Sequence, residues 1–409
     1  MFQFMKKRKR RIYMDYASGT PVDKSVSKVM RKYSSKIFAN PSAIHKEGMA
    51  AREAINRARA TIADILGAHS DEIVFTSGGT EGDNLAIIGV INALSGERPH
   101  VVTTNIEHSA VREVCRELKS QGRIELTEVP VESNGIVSPD KIKRALRDRT
   151  VLVSVMYSNN EIGTIQPILE IAKVIRYHRK AIKTQKHKNT KTSAKTNLPF
   201  FHTDAAQAIN YLPIKVEKLG VDLFTFNGSK IYGPRGIGVL YKKREIPFLP
   251  IMYGGSQEHG LRPGTENTAN IIGLAKALEL AKSRKEKESK RLTTLRNYFI
   301  KELQERFQKI IINGDSYARL PNNVNVSIPG LESELLVLEL DARGVAVSAK
   351  SACKSAEPGE SYVIHALRGD HRKEESSLRL SLGYKTTRRD IDYVLRALED
   401  ILKKYGIKP

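Results

Sequence analysis

The chain has 409 residues, 40% of them apolar, with 68 basic against 45 acidic side chains and a formal net charge of +23. That length buries a large core and predicts two domains, and no apolar run is long enough to cross a bilayer. Two cysteines, Cys115 and Cys353, exclude a disulfide framework, and the positive charge favours contact with polyanions such as RNA.

In chain order, residues 1–11 read as a basic lead-in, unbroken from Lys6 to Arg11. It lacks the order of a secretory signal, so the expected compartment is the cytoplasm. A short strand from Ile12 ends in a turn at Thr20-Pro21. Ile55, Ala58, Ile62 and Ile65 recur at helical spacing and predict an amphipathic helix over Glu47 to Leu66, stopped by Gly67. From residue 71, short apolar runs alternate with helical stretches, the pattern of a mainly parallel sheet with crossover helices. The predicted strands are Glu72 to Thr76, His100 to Thr104, Glu125 to Val129, Val151 to Met156, Pro199 to Thr203, Val221 to Phe226 and Gly236 to Tyr241. Arg179 to Asn197, rich in Lys, Thr and Asn and free of acidic residues, reads as a mobile surface insertion. After about residue 265 a long charged helix is expected over Ile271 to Gln308. Strands over Asn323 to Ile328, Val345 to Ser348 and Ser377 to Leu382 and a closing helix over Thr387 to Tyr405 complete a smaller α+β domain.

In a sheet of this kind the ligand lies beyond the carboxyl ends of the strands, which gathers scattered polar residues into one place. The first strand runs into Thr76-Ser-Gly-Gly-Thr-Glu-Gly-Asp-Asn84 ahead of an apolar helix, Leu85 to Leu94. This reads either as a helix N-terminus suited to a phosphate or as a capping box of Thr80 with Asp83. The spacings of the dinucleotide fingerprint and the P-loop are absent. His108 ends the second strand, Asn160 sits in a polar turn after the fourth, and Asp204 ends the fifth. Asp204 reads either as a carboxylate for a protonated pyridine nitrogen or as a helix cap. Lys230 lies in a glycine-rich turn between two apolar strands. Partial desolvation there would free its amine to attack a carbonyl and form a Schiff base. A phosphate cradle, an imidazole, an amide, a carboxylate and such a lysine are the set that pyridoxal 5′-phosphate needs.

Over nearly its whole length the chain resembles the group-I cysteine desulfurases of the aminotransferase class-V family. The matching segments include Asn40-Pro-Ser, Thr76-Ser-Gly-Gly-Thr-Glu81, Glu107-His108, Asn159-Asn-Glu-Ile-Gly163, Asp204-Ala-Ala-Gln207, Lys230-Ile-Tyr-Gly-Pro234, Arg262-Pro-Gly-Thr265, Ser351-Ala-Cys353 and Ser377-Leu-Arg-Leu-Ser-Leu-Gly383. The resemblance implies the α/β architecture of PLP-dependent fold type I, with a mainly parallel seven-stranded sheet. It implies a segment 1–20 joining the small domain, a large cofactor-binding domain over 21–265 with a basic insertion at 179–198, and a small domain over 266–409 carrying the cysteine loop. It further implies that Lys230 carries the cofactor and that His108 stacks on its ring. Asp204 would meet the ring nitrogen and Gln207 the ring hydroxyl. Gly79 and Thr80 would hold the phosphate, with Thr265 contributed by the other subunit of a homodimer. Asn160 and Arg379 would hold the carboxylate of L-cysteine, and Cys353 would take its sulfur as a persulfide for a sulfur-acceptor protein, in iron–sulfur cluster assembly or tRNA thiolation. No metal is expected. The chain departs from the family pattern in the lysine turn, where Asn227-Gly-Ser229 replaces Ser-x-His, and at Lys350, where a glycine is usual. Asn227 and Ser229 still offer hydrogen bonds to the phosphate. Selenocysteine lyase, and a basic RNA-binding scaffold with a decayed site, are the competing readings. Cys115 reads as helix packing.

Overall fold

The computed structural model describes residues 11–94, 98–189, 197–349, 361–368 and 375–407. Cys353, Lys350 and Lys354 lie outside them, as does the lead-in up to residue 10. The chain starts with β1 (Ile12–Tyr13), α1 (Lys24–Ser35) and α2 (Lys46–Leu66), followed by β2 (Ile73–Thr76) and α3 (Gly79–Ala93). Then come β3 (His100–Thr104), α4 (Ser109–Ser120), β4 (Glu125–Val129), α5 (Pro139–Ala145), β5 (Thr150–Ser154) and α6 (Ile168–Asn189). The run β6 (Phe200–Asp204), α7 (Val216–Leu219), β7 (Leu223–Asn227) and β8 (Gly238–Lys242) closes the large sheet.

Strands β2 to β8 form that sheet in the order β2-β8-β7-β6-β5-β3-β4. Every pairing is parallel except those of β8, which runs antiparallel to both β2 and β7. The sheet is buried on both faces, which explains why its strands are continuous apolar runs rather than alternating ones. One face carries Phe75, Val102, Val153, Phe201, Phe224 and Val239 against the helices α2, α6 and α8 (Thr268–Arg306), and the other carries Val74, Val101, Leu152, Leu223 and Leu240 against α3 and α4.

After α8 come β9 (Ile311–Ile312), β10 (Asn323–Pro329), α9 (Ser333–Ala342), β11 (Val345–Ala346), α10 (Tyr362–Arg368), β12 (Glu375–Ser381) and α11 (Arg388–Lys404). Strands β12, β10 and β9 pair antiparallel over a core of Val324, Val326, Leu378, Leu380, Val394 and Leu398. The N-terminal strand β1 crosses over to pair with β11.

Three expectations need correction. Arg179 to Asn197 was read as a mobile surface insertion, yet α6 continues through its first part to Asn189, since Lys, Ala and Gln are good helix formers and no Gly or Pro interrupts them; residues 190–196 lie outside the described ones. The helix expected from Leu85 begins at Gly79, because two glycines in its first turn hide the apolar periodicity. The expected strand Val345 to Ser348 is only two residues long, with Ser348 making an isolated bridge to Arg379.

Candidate active site

The parallel strands end at one edge of the large sheet, and the turns after β2, β3, β5, β6 and β7 bring polar side chains to one cavity there. After β2 the chain enters α3 through Ser77 and Gly78. The N-cap is Gly78, and no side chain caps it, so the Thr80–Asp83 capping box does not form. The N–H groups of the first turn are left facing the sheet edge, where the helix dipole is positive. Glu81 fixes that turn by accepting from the Ser77 N–H at 2.7 Å and from Arg262 Nε at 2.8 Å. A Cβ on Gly79 would lie 2.9 Å from Asn227 Nδ2, so this glycine lets the lysine turn approach the helix start.

That turn follows β7. A single 3-10 turn, Gly228–Lys230, lifts the lysine off the strand. Its shape is held by Ser229 Oγ donating to Asn227 Oδ1 at 2.9 Å and by the Thr20 N–H and hydroxyl both donating to the Ser229 carbonyl at 2.9 Å. Asn210 Nδ2 binds the Lys230 carbonyl at 2.7 Å, and Lys230 Nζ donates to the Ser18 carbonyl at 2.6 Å. Two residues on, Tyr232 has a φ of 60°, an uncommon value for a side-chain-bearing residue. It is fixed by its N–H to Thr20 Oγ1 at 2.8 Å and by stacking on Tyr384 with ring centroids 3.8 Å apart. The sequence carried no signal for this strain.

Beyond β3, His108 caps α4, its Nδ1 accepting from the Ala110 N–H at 3.2 Å. In the neutral ring Nε2 then carries the proton. Its neighbour Glu107 is fully buried, takes the Thr104 hydroxyl at 2.6 Å and the Met156 N–H, and is pushed by burial up to a pKa of about 8. At the end of β6, Asp204 accepts from the Ala206 N–H at 2.8 Å. Burial raises its pKa, with His108 and Lys230 pulling the other way. Gln207 Nε2 donates to the Ala17 carbonyl at 3.0 Å.

The small sheet reaches in through Arg379 on β12, which is 1% exposed. Its Nη1 donates to the Asn160 carbonyl at 3.0 Å, and its Nη2 to Asp15 Oδ1 at 2.8 Å and Ser18 Oγ at 2.6 Å. Its Nε has no hydrogen-bond partner, nor have the buried Asn160 Oδ1 and Ser158 Oγ.

Gly79, Thr80, His108, Asn160, Asp204, Gln207, Asn227, Ser229, Lys230 and Arg379 all line one cavity of about 380 Å³. Thr265 does not: it is exposed and lines a neighbouring cavity with Gly264 and Glu266, which shares Ser77, Gly236 and Ile237 with the first. Cys353 falls outside the described residues. Sequence reasoning missed Asp83, Ser18 and Arg235, which line the cavity too. Asp83 was read only as a capping partner of Thr80, Ser18 lies in the turn before Thr20-Pro21, and Arg235 lies in the glycine-rich turn after Lys230; neither of the last two was given a role.

The donor set fits pyridoxal 5′-phosphate. Helix N–H groups with Thr80, Asn227 and Ser229 suit a phosphate dianion, a carboxylate suits a ring N–H, and buried polar atoms without partners await a further polar ligand. Among the described residues no group of three or more His, Cys, Asp or Glu is placed to hold a metal ion.

Comparison with known proteins gives a consistent result. The aminotransferase class-V family profile matches residues 12–394. The chain is 44% identical over 396 residues to the cysteine desulfurase IscS of Dictyoglomus turgidum, covering 97% of this chain and 95% of that one. It is 43% identical over 393 residues to the cysteine desulfurase IscS of Methanosarcina thermophila, covering 96% and 92%. Among solved structures it is similar to a NifS-like protein, with a TM-score of 0.85 at 31% identity over 96% of this chain and 100% of that one. It is also similar to SspA in complex with cysteine, with a TM-score of 0.76 at 34% identity over 91% and 98%.

Proposed function

The chain belongs to the aminotransferase class-V family and, within it, to the cysteine desulfurases, and on that premise we propose how its own residues divide the work. The reaction takes L-cysteine to L-alanine with transfer of one sulfur atom, and pyridoxal 5′-phosphate is the cofactor. When bound, the cofactor supplies an electron sink that weakens the bonds around the substrate's α-carbon.

The observation that carries the assignment is the shared cavity. The Lys230 amine, the Asp204 carboxylate and the unpartnered Arg379 Nε face one space of about 380 Å³. Lys230 carries the cofactor and afterwards moves protons to and from the substrate's carbon atoms. Asp204 holds the ring nitrogen protonated. Gly79, Thr80, Asn227 and Ser229 take the phosphate, and Gln207 the ring hydroxyl. His108, anchored at Nδ1, presents its ring face and keeps a proton at Nε2 for exchange. Asn160 and Arg379 hold the carboxylate. The Cys353 thiolate attacks the substrate sulfur, the carbon–sulfur bond breaks with its electron pair left on carbon, and a proton takes the place of sulfur. Alanine leaves, and Cys353 keeps the sulfur as a persulfide.

The domain division at residues 20 and 265 is part of the same reading, supported by the pairing of β1 with β11. So is a homodimer. Thr265 lies outside its own chain's cavity, and Phe38, Ile44 and Tyr253 are 76%, 89% and 83% exposed, more apolar surface than those segments need if nothing covers them. Delivery of sulfur to an acceptor protein for iron–sulfur clusters or tRNA thiolation, and a cytoplasmic setting, complete it. No described helix is long and apolar enough to cross a membrane. The test is a Cys353→Ser variant, which is expected to keep the visible absorbance of the bound cofactor and to form no alanine from cysteine. Undiminished turnover would remove Cys353 from the reaction.

A further inference from the structure

Gly82 lies in the first turns of α3, and a Cβ there would sit 2.6 Å from Thr225 Cγ2. Glycine therefore lets α3 settle directly onto β7, and the next residue, Asp83, is pressed into the floor of the cofactor cavity at 1% exposure. A second carboxyl group thus shares the cavity with Asp204. Asp83 is buried and the Asp204 carboxylate further disfavours its ionised form, so the two titrate as a pair.

The surroundings of the two differ. Asp204 accepts the Ala206 N–H at 2.8 Å and feels the positive influence of His108 and Lys230. Asp83 Oδ1 accepts no hydrogen bond. Its basic neighbour is the His202 ring, with Nε2 3.5 Å away. That ring is committed to Ser154 Oγ at 2.8 Å and Thr225 Oγ1 at 3.1 Å, and burial keeps it neutral, with a pKa down to about 3. Burial and the neighbouring Asp204 carboxylate both disfavour the ionised form of Asp83, and the Thr225 hydroxyl only partly offsets them.

We infer that Asp83 and Asp204 hold one proton between them and that it rests on Asp83, which makes Asp83 a positioning residue that keeps Asp204 anionic toward the cofactor's ring nitrogen. The consequence at the ring rests on the cofactor assignment; the proton itself is measurable without cofactor.

The test is the infrared carbonyl stretch of the purified protein at neutral pH, cofactor-free and loaded. A band of a buried, protonated carboxylic acid is expected that moves when aspartate carboxyls carry ¹³C, survives Glu107→Gln and is lost in Asp83→Asn. The labelled wild type gives the answer even if the variant folds poorly. No aspartate band, or one unchanged by Asp83→Asn, overturns the inference. In the loaded protein Asp83→Asn, a neutral group for a neutral group, is expected to move the pH midpoint of the cofactor's visible absorbance by less than about 0.3 units, whereas a shift of about one unit or more would place the charge on Asp83. A colourless preparation that still shows the band would sink the cofactor reading and leave the pair standing.

Discussion

Arg59 and Arg379 are both buried, at 9% and 1% exposure, yet their surroundings have opposite character. Arg59, on α2, spends its guanidinium on a bidentate pair with Glu258 at 2.7 Å for both bonds and on the Ile73 carbonyl at 2.6 Å, and it lies over the Phe75 ring. Glu258 in turn accepts the Phe75 N–H at 2.8 Å. The pair is saturated and clamps the segment leading to Thr265 against β2. Arg379 is tied to Asp15, Ser18 and Asn160 and still keeps Nε without a partner beside an open cavity. Burial alone does not mark a functional arginine; a donor left unsatisfied at the wall of a cavity does, because leaving it so costs free energy that only a ligand recovers.

Substitutions should separate the two sites. Glu258→Ala is expected to cost about 3–5 kcal/mol of stability, read from the denaturant midpoint, since it leaves Arg59 buried without its anion. KM for cysteine should not change. Arg379→Gln is expected to lower kcat/KM about 10²–10³-fold, or about 2.7–4 kcal/mol, with a smaller loss of stability because Asp15 reaches solvent. A large stability loss with near-normal kinetics would erase the distinction. Glu107→Gln probes a buried carboxyl group held by a hydroxyl and a backbone N–H. The folded-state pKa of Glu107, about 8, lies above its ordinary value of 4.5, so its contribution is full below the lower value and is lost as pH rises toward the upper. The variant should therefore lose less stability between about pH 5 and 8 than the wild type, by up to about 1.4 kcal/mol per pH unit. A parallel pair of stability curves would contradict this. The smallest effect is expected at Cys115, fully buried on α4, where burial pushes the thiol pKa up. Thiol reagents should leave it unlabelled in the native protein, and Cys115→Ala should change turnover by less than about twofold.

Much of this was legible in the sequence because it rests on local patterns. The seven apolar runs of the large sheet gave seven strands whose ends fall within a few residues of those observed, and the turns after β2, β3, β5, β6 and β7 named side chains that line the cavity. The closing helix expected over Thr387 to Tyr405 is α11, which the structure shows opened by a capping box of Thr387 with Asp390. Features that depend on packing were hidden. The start of α3 was obscured because Gly79 and Gly82 serve close approaches to β7, which no periodicity encodes. Asp83 looked like a helix-capping partner because its burial against β6 and β7 is a tertiary fact. The antiparallel β8 read like its parallel neighbours, since burial on both faces removes the alternation that would have told them apart. The excess of positive charge remains without an assigned partner.

The most direct test is a comparison of ligands with and without a carboxylate. Absorbance titrations of the loaded enzyme with L-alanine and with ethylamine, its counterpart lacking that group, isolate what Arg379 recognises. The wild type is expected to prefer L-alanine by about 100-fold or more and Arg379→Gln by less than about tenfold, a difference of at least about 1.4 kcal/mol. An equal preference in both proteins would contradict the reading of the unpartnered guanidinium as the carboxylate site.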